Sequence, residues 1–157
     1  MNLAYRKTPI GTIGIGENNG VITHLLFEGG VAPLHAVLNE TPLLKEAFRQ
    51  LNDYLSGERK AFALPLAPEG TPFQRKVWEI LEKIPYGKTV SYKDVAVKAG
   101  NVLATRAVGM ANHRNPIPIF IACHRVIGAN GALVGYGGGL EMKKRLLAIE
   151  GVSGKKE

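Results

Sequence analysis

Residues 91–116 read SYKDVAVKAGNVLATRAVGMANHRNP and predict two short helices joined by a turn. Ser91 begins a capping sequence for the first helix, which stops at Gly100. Asn101 can cap the second helix, predicted to run from 102 toward 111 before the Asn-Pro pair ends it. Such a helix pair in a basic segment is typical of a helix-turn-helix, although many helical pairs that bind nothing share the pattern.

Further capped helices flank this pair. TPFQ at residues 71–74 is a capping box with Pro at the first helical position, and its helix is expected to end near Lys83. Residues 140–150 predict a last helix, with Gly151 at its end. Between them, the Asn-Gly dipeptide within residues 126–134 indicates a hairpin that would form a wing.

The first half of the chain has the pattern of a small α/β unit. Apolar runs at residues 11–15 and 21–27 flank an Asn-Asn-Gly turn and predict a β-hairpin. Thr41 followed by Pro then starts a helix with one apolar face, which Gly57 ends. Residues 61–64 are expected to return as a strand. No chemically suggestive cluster occurs in this half.

The two halves differ in charge across a Pro-rich stretch, LPLAPEGTP at residues 64–72, which reads as a linker. Residues 1–70 carry 6 Lys+Arg against 7 Asp+Glu, a net charge of −1, whereas residues 71–157 carry 14 against 6, a net charge of +8. We therefore expect two domains, 1–68 and 69–157. The basic second half points to a polyanionic partner, and a merely soluble basic surface is the alternative that charge alone leaves open.

The chain contains a single cysteine, which excludes an intramolecular disulfide and any Cys-rich zinc site. Its start, MNLAYRK, lacks an apolar stretch of signal-peptide length, and no later stretch is long enough to cross a bilayer. These features predict a cytoplasmic protein with no membrane association.

That cysteine, Cys123, lies directly before His124 and Arg125 and after an apolar run, at the end of an expected buried strand. Nearby cations favour the thiolate, which is the form that attacks electrophiles. A lone cysteine is also often a small core residue. The two interpretations are a nucleophile and a packing residue.

Taken in order, seven motifs resemble the O6-alkylguanine-DNA alkyltransferases, repair proteins that remove an alkyl group from guanine and are consumed in doing so. The motifs are PFQ at 72–74, IPYGKTVSY at 84–92, RAVG at 106–109, NP at 115–116, CHRV at 123–126, YGGGL at 136–140 and LLAIEG at 146–151. One departure is Ala122, where the family usually has Pro; it removes no reactive group, so activity is expected to survive.

The resemblance implies an α/β (α+β) fold, with a small N-terminal ribonuclease-H-like α/β domain and a winged helix-turn-helix-like, mainly α C-terminal domain. It also implies the chemistry. Cys123 would accept the alkyl group, His124 would act as its base through a water or a local turn, and Glu150 would orient the imidazole. Tyr92 would donate to guanine N3.

The resemblance further implies that the damaged base is rotated out of double-stranded DNA, with Arg106 filling the vacated stack. A simple phosphate contact is the alternative role for this arginine. The other expected DNA contacts are Tyr92, Ser91, Asn101, Ala104 and Arg114. The expected pocket and hinge residues are Asn115, Arg125, Val126, Tyr136 and Gly137.

No cofactor and no metal is expected, because the Cys and His residues lack zinc-ligand spacing and the glycine run at 137–139 is not a nucleotide loop. The expected partner is double-stranded DNA containing O6-alkylguanine, bound without sequence preference by a monomer. Two alternatives remain open. A winged-helix regulator would leave Cys123 idle, and a Cys-His hydrolase would not need the basic half.

Overall fold

The structure is a computed structural model that describes residues 1–128, 131, 136 and 138–152. The chain divides into two compact units. The first unit comprises Met1–Glu69 together with Pro116–Pro118, and the second comprises Gly70–Asn115 and the described residues from Ile119 onward. Sheet and helix occur in the first unit and mainly helix in the second, as the predicted mixed α/β class requires.

The first unit is built on a four-stranded sheet in the order β3-β2-β1-β4. Its strands are β1 (Asn2–Thr8), β2 (Gly11–Asn18), β3 (Val21–Leu26) and β4 (Val37–Leu38). The predicted hairpin is confirmed, since β2 and β3 pair antiparallel around Asn19 and Gly20, both of which have positive φ. Strands β1 and β4, which pair in parallel, were not predicted.

Helix α1 (Pro42–Leu55) packs on this sheet. The Thr41 side chain accepts a hydrogen bond from the Leu44 amide at 3.2 Å, and the apolar face is buried as predicted. The predicted strand at residues 61–64 is wrong. The Gln50 side chain hydrogen-bonds both backbone groups of Ala63, donating to its carbonyl at 3.2 Å and accepting from its amide at 2.8 Å. These groups are therefore not paired with a neighbouring strand. Leu66, two residues beyond the predicted strand, forms an isolated parallel bridge with Ile22.

The second unit contains four helices and one short two-stranded sheet among its described residues. They are α2 (Pro72–Glu82), β5 (Val90–Ser91), α3 (Tyr92–Lys98), α4 (Thr105–His113), β6 (Val126–Ile127) and α5 (Leu140–Ile149). Both predicted capping boxes, at Thr71 and Ser91, are confirmed. Helices α2, α3 and α4 pack on one another, and the Trp78 indole donates to the Ala111 carbonyl at 2.8 Å.

Helix α4 begins at Thr105, three residues later than predicted. The Asn101 side chain accepts from the Leu103 amide at 3.0 Å and so forms a local turn instead of a cap. Ala104 occupies the N-cap position and makes no side-chain cap bond. Gly100, with φ +92°, ends α3 as expected.

The segment before Cys123 is not the expected strand. Ile119 has φ +74°, which breaks an extended run, and Cys123–Arg125 forms one turn of 3-10 helix. Strand β6 follows this turn and pairs in parallel with β5, Val90 opposite Val126. The predicted wing lies largely outside the described residues, and β6 is its only described strand.

Candidate active site

Cys123 lies in the 3-10 turn and is buried, with 3% of its surface exposed. Burial raises the pKa of its thiol, because a thiolate is poorly solvated there. Hydrogen bonds from the Asn115 and Tyr136 side chains, and the charge of Lys143, partly offset this rise. The resting thiol is therefore protonated at neutral pH and needs a base before it can react.

His124, the next residue of the turn, is fully buried and contacts Glu150 at the end of α5. Its Nε2 lies 2.7 Å from Glu150 Oε2. Because a carboxylate only accepts, the neutral ring carries its proton on Nε2 and its lone pair on Nδ1. Burial lowers the pKa of His124, against the opposing effect of Glu150, so the imidazole is neutral and able to accept a proton.

Arg125 completes the turn and binds the same carboxylate. Its Nε donates to Glu150 Oε1 and its Nη2 to Glu150 Oε2, both at 2.9 Å, in the bidentate geometry that guanidinium favours. Its Nη1 donates to the Ile84 carbonyl at 2.6 Å. The guanidinium therefore links Glu150 to the turn at Ile84, and the expected pocket-shaping role of Arg125 stays a prediction.

The IPYG motif at residues 84–87 supplies the remaining support for Glu150. The Gly87 amide donates to Glu150 Oε1 at 3.0 Å, and the Tyr86 hydroxyl donates to the Ile149 carbonyl at 3.1 Å. Gly87 has φ +78°, and a Cβ there would lie 3.3 Å from the Glu150 carbonyl oxygen. The backbone conformation therefore favours glycine, and any larger residue would make a tight contact with the Glu150 carbonyl.

Two asparagines hold the Cys123 segment against the end of α4. Asn115 donates through Nδ2 to the Ile121 carbonyl at 3.0 Å, in addition to its bond to the thiol. Asn112, which sequence reasoning missed, donates to the Cys123 carbonyl at 3.4 Å. Both side chains are buried. The predicted hinge position of Asn115 therefore coincides with a contact to the candidate nucleophile.

Tyr92 begins α3 directly after β5, whose pairing with β6 brings it beside the Cys123 turn. Burial and the charge of Cys123 raise the pKa of Tyr92, which keeps its hydroxyl protonated and able to donate. Val126 in β6 and Tyr136 are both buried. Gly137 lies outside the described residues.

Lys143 is the main residue that sequence reasoning missed. It is fully buried, although it lies on a helix that exposes its other two basic residues at least in part. Burial lowers its pKa to about 8, and the charge of Cys123 opposes that effect. The signal was present in the sequence: the buried positions of α5 recur at three and four residues, and a lysine occupies the first of them. These positions are Lys143, Leu146, Leu147 and Glu150.

The predicted DNA contacts lie at the start of α3 and around α4. Ser91 caps α3 by accepting from the Asp94 amide at 3.0 Å. Arg106 is exposed in the first turn of α4, and Arg114 is exposed at its C-cap. Asn101 and Ala104 lie in the connection between the two helices, as described above.

No three His, Cys, Asp or Glu side chains group closely enough to hold a metal ion among the described residues. In the same part of the chain, no helix has the length and apolar character needed to cross a membrane.

Two models of one protein family match the sequence of this chain. The family model for the DNA-binding domain of 6-O-methylguanine DNA methyltransferase matches residues 72–152. The model for the ribonuclease-like domain of the same family matches residues 1–68. Together the two matches span nearly the whole sequence.

Individual relatives are similar to this chain over nearly their whole length. The constitutive methylated-DNA–protein-cysteine methyltransferase of Bacillus subtilis is 51% identical, with 96% of each chain covered. That of Methanosarcina acetivorans is 46% identical, over 96% of this chain and 99% of the relative. The crystal structure of Mycobacterium tuberculosis OGT in complex with DNA superposes with a TM-score of 0.90 at 41% identity, covering 96% of this chain and 92% of that one. The chain therefore belongs to the 6-O-methylguanine DNA methyltransferase family.

Proposed function

We propose that this protein repairs DNA by transferring the alkyl group of O6-alkylguanine to Cys123, in a reaction that each molecule performs once. The observation that carries the proposal is the arrangement at the 3-10 turn. The only cysteine of the chain directly precedes a neutral, buried imidazole whose Nε2 is 2.7 Å from a buried carboxylate. This is the base and orienting group that a protonated thiol requires.

The transfer follows from the protonation states. His124 accepts the thiol proton at Nδ1, directly or through one water, and Glu150 stabilises the imidazolium that forms. The sulfur then attacks the alkyl carbon, the carbon–sulfur bond forms, and the bond from that carbon to guanine O6 breaks. Guanine leaves with the electron pair and takes up one proton, which balances the proton lost by the thiol. Tyr92 assists by donating a hydrogen bond to guanine N3.

Lys143 and Asn115 act on the same sulfur. The ammonium charge and the asparagine hydrogen bond both lower the thiol pKa against the effect of burial. They therefore reduce the free energy needed to form the thiolate inside the protein. The product is a thioether, which is no longer a nucleophile of this kind, so the protein is consumed and needs no cofactor.

The substrate base must leave the duplex, because O6 is not accessible to a buried sulfur while the base is stacked; rotation costs a few kcal/mol. Arg106, exposed on α4, fills the vacated position, and Arg114 contacts phosphate. Ser91, Asn101 and Ala104 lie along the same contact surface. Since phosphate contacts carry no sequence information, binding is independent of sequence and weakens with salt. The protein acts as a monomer, in the reducing cytoplasm that keeps its thiol free.

Stoichiometry tests this function against its alternatives. With methylated-guanine duplex in tenfold excess over protein, removal of methyl groups should stop at one per chain. Continued removal would indicate a Cys-His hydrolase that turns over. Tight DNA binding without any removal would indicate a regulator. Either result would contradict the proposal.

A further inference from the structure

Helix α4 exposes one face that combines a cation with apolar side chains. Val108, Ala111 and Asn112 are buried on the opposite side of the helix. Arg106 and Met110, four residues apart, therefore lie next to each other on the exposed side. Met110 is 56% exposed, and the neighbouring Gly109 leaves open space where a Cβ would be.

A second exposed apolar side chain precedes this arginine in the sequence. Leu103 precedes Arg106 by three residues, in the connection that leads into α4, and is 89% exposed. Arg106 is thus flanked along the chain by large apolar groups. Exposed leucine and methionine so placed lose contact with water only when a partner covers them.

The charge around this face favours a polyanion as that partner. Between Asp94 and Glu141 the sequence contains no acidic residue, whereas it contains three exposed basic ones, Lys98, Arg106 and Arg114; a fourth, Arg125, is buried against Glu150. An anionic surface can therefore approach α4 without meeting a like charge from this segment. Duplex DNA is such a surface, and it also offers the apolar faces of its base pairs.

We propose, on the basis of the function above, that Leu103 and Met110 form an apolar wedge that enters duplex DNA beside Arg106 and unstacks the bases next to the lesion. Leucine and methionine offer no hydrogen bonds with which to read base edges. Apolar side chains that insert between base steps instead separate them and bend the duplex. This property suits a protein that must open DNA at any sequence.

The test compares Met110→Ala and Leu103→Ala with the unchanged protein on the same methylated strand, once in a duplex and once single-stranded. A wedge is needed only where bases are stacked and paired. We expect each substitution to lower the ratio of the duplex rate to the single-strand rate by about tenfold. Val37→Ala is the matched control, because Val37 is 60% exposed and lies in the first unit. It should leave the ratio unchanged.

A second measurement does not depend on transfer. With Cys123→Ala as the background, binding to a duplex that carries 2-aminopurine beside the lesion should raise its fluorescence as the base unstacks. Adding Met110→Ala should remove most of that rise at saturating protein. Because this measurement uses the Cys123→Ala protein, it tests the wedge separately from methyl transfer. Failure of the unchanged protein to transfer a methyl group would instead contradict the proposed function.

Three results would overturn the wedge. One is an equal loss of rate on duplex and single strand, and another is an unchanged fluorescence rise in the Met110→Ala protein. The third is a dimer in sedimentation that Met110→Ala dissociates, because the face would then be covered by a second copy of the chain.

Discussion

Burial raises the pKa of Cys123, although the proposed reaction requires its thiol to lose a proton. The residues around Cys123 can favour loss of the thiol proton in two ways. In the proposed mechanism His124 accepts the proton, and Lys143 and Asn115 both lower the pKa of the thiol. Burial and these local groups therefore act in opposite directions on the pKa of the thiol.

Replacing Lys143 with Met should slow transfer most at neutral pH. The lysine pKa is about 8, so the ammonium is charged at pH 7 and loses its charge as the pH rises through 8. Without that charge the thiol pKa rises further, and we expect the rate at pH 7 to fall about tenfold, a difference that shrinks above pH 8. Rates of Cys123 alkylation by iodoacetamide and by methylated DNA, measured from pH 6 to 9, check this.

Lys144→Met is the matched control for that experiment. Lys144 is the next residue of α5, and its side chain is 43% exposed. Its Nζ lies 3.8 Å from Glu141 Oε2. Its loss should leave the pH profile unchanged. A Lys143→Met profile that parallels the unchanged protein at all pH values would exclude an electrostatic role for the lysine.

Replacing Glu150 with Gln should reduce both stability and transfer. The substitution leaves the Arg125 guanidinium buried without a carboxylate and removes the charge that stabilises the imidazolium. We expect the free energy of unfolding to fall by about 3 kcal/mol. Urea denaturation measures this, with Glu141→Gln, exposed on the same helix, as the control. Equal stability of the two variants would show that the buried ion pair contributes nothing.

Two elements set the position of the catalytic groups: the turn at residues 84–87 and helix α5. The turn binds Arg125 through the Ile84 carbonyl and Glu150 through the Gly87 amide. Helix α5 presents Lys143 and Glu150 from one buried face, two turns apart. The same helix therefore supplies a charge for the thiol and a carboxylate for the histidine.

Gly87→Ala tests the contribution of this turn, with Gly57→Ala as its control. Both glycines have nearly the same conformation, φ +78° and +83°, so alanine costs each about 1 kcal/mol in backbone strain. Only at Gly87 does the new Cβ approach another group, the Glu150 carbonyl at 3.3 Å. We expect Gly87→Ala to slow transfer clearly and Gly57→Ala not at all. Similar transfer rates in the two variants would show that the turn does not position Glu150.

Helices and turns were predicted correctly where hydrogen bonds between residues close in sequence determine them. The capping boxes at Thr71 and Ser91 and the hairpin around Gly20 are confirmed, because each depends on residues three or four apart. Predictions were wrong where a distant or competing contact decides the backbone. The Gln50 side chain hydrogen-bonds the backbone of Ala63, where a strand was predicted. The Asn101 side chain accepts from the nearby Leu103 amide instead of capping α4.

Across the whole molecule, the family resemblance predicted the mixed α/β fold and named His124 and Glu150, which the structure brings into contact. It did not predict that Arg125 binds Glu150, a contact between residues 25 positions apart in sequence. The burial of Lys143 was readable from the spacing of the buried positions of α5, but that signal was missed. The charge contrast between the halves was readable from composition alone, and the basic half contains the candidate active site. The catalytic roles of the individual residues stay predictions.

Mass analysis of the protein after reaction tests the central claim most directly. Incubation with duplex DNA carrying O6-methylguanine should add one methyl group per chain, and peptide mapping should place it on Cys123. The Cys123→Ala protein should gain no mass under the same conditions. A methyl group on any other residue, or loss of the lesion without modification of the protein, would contradict the account.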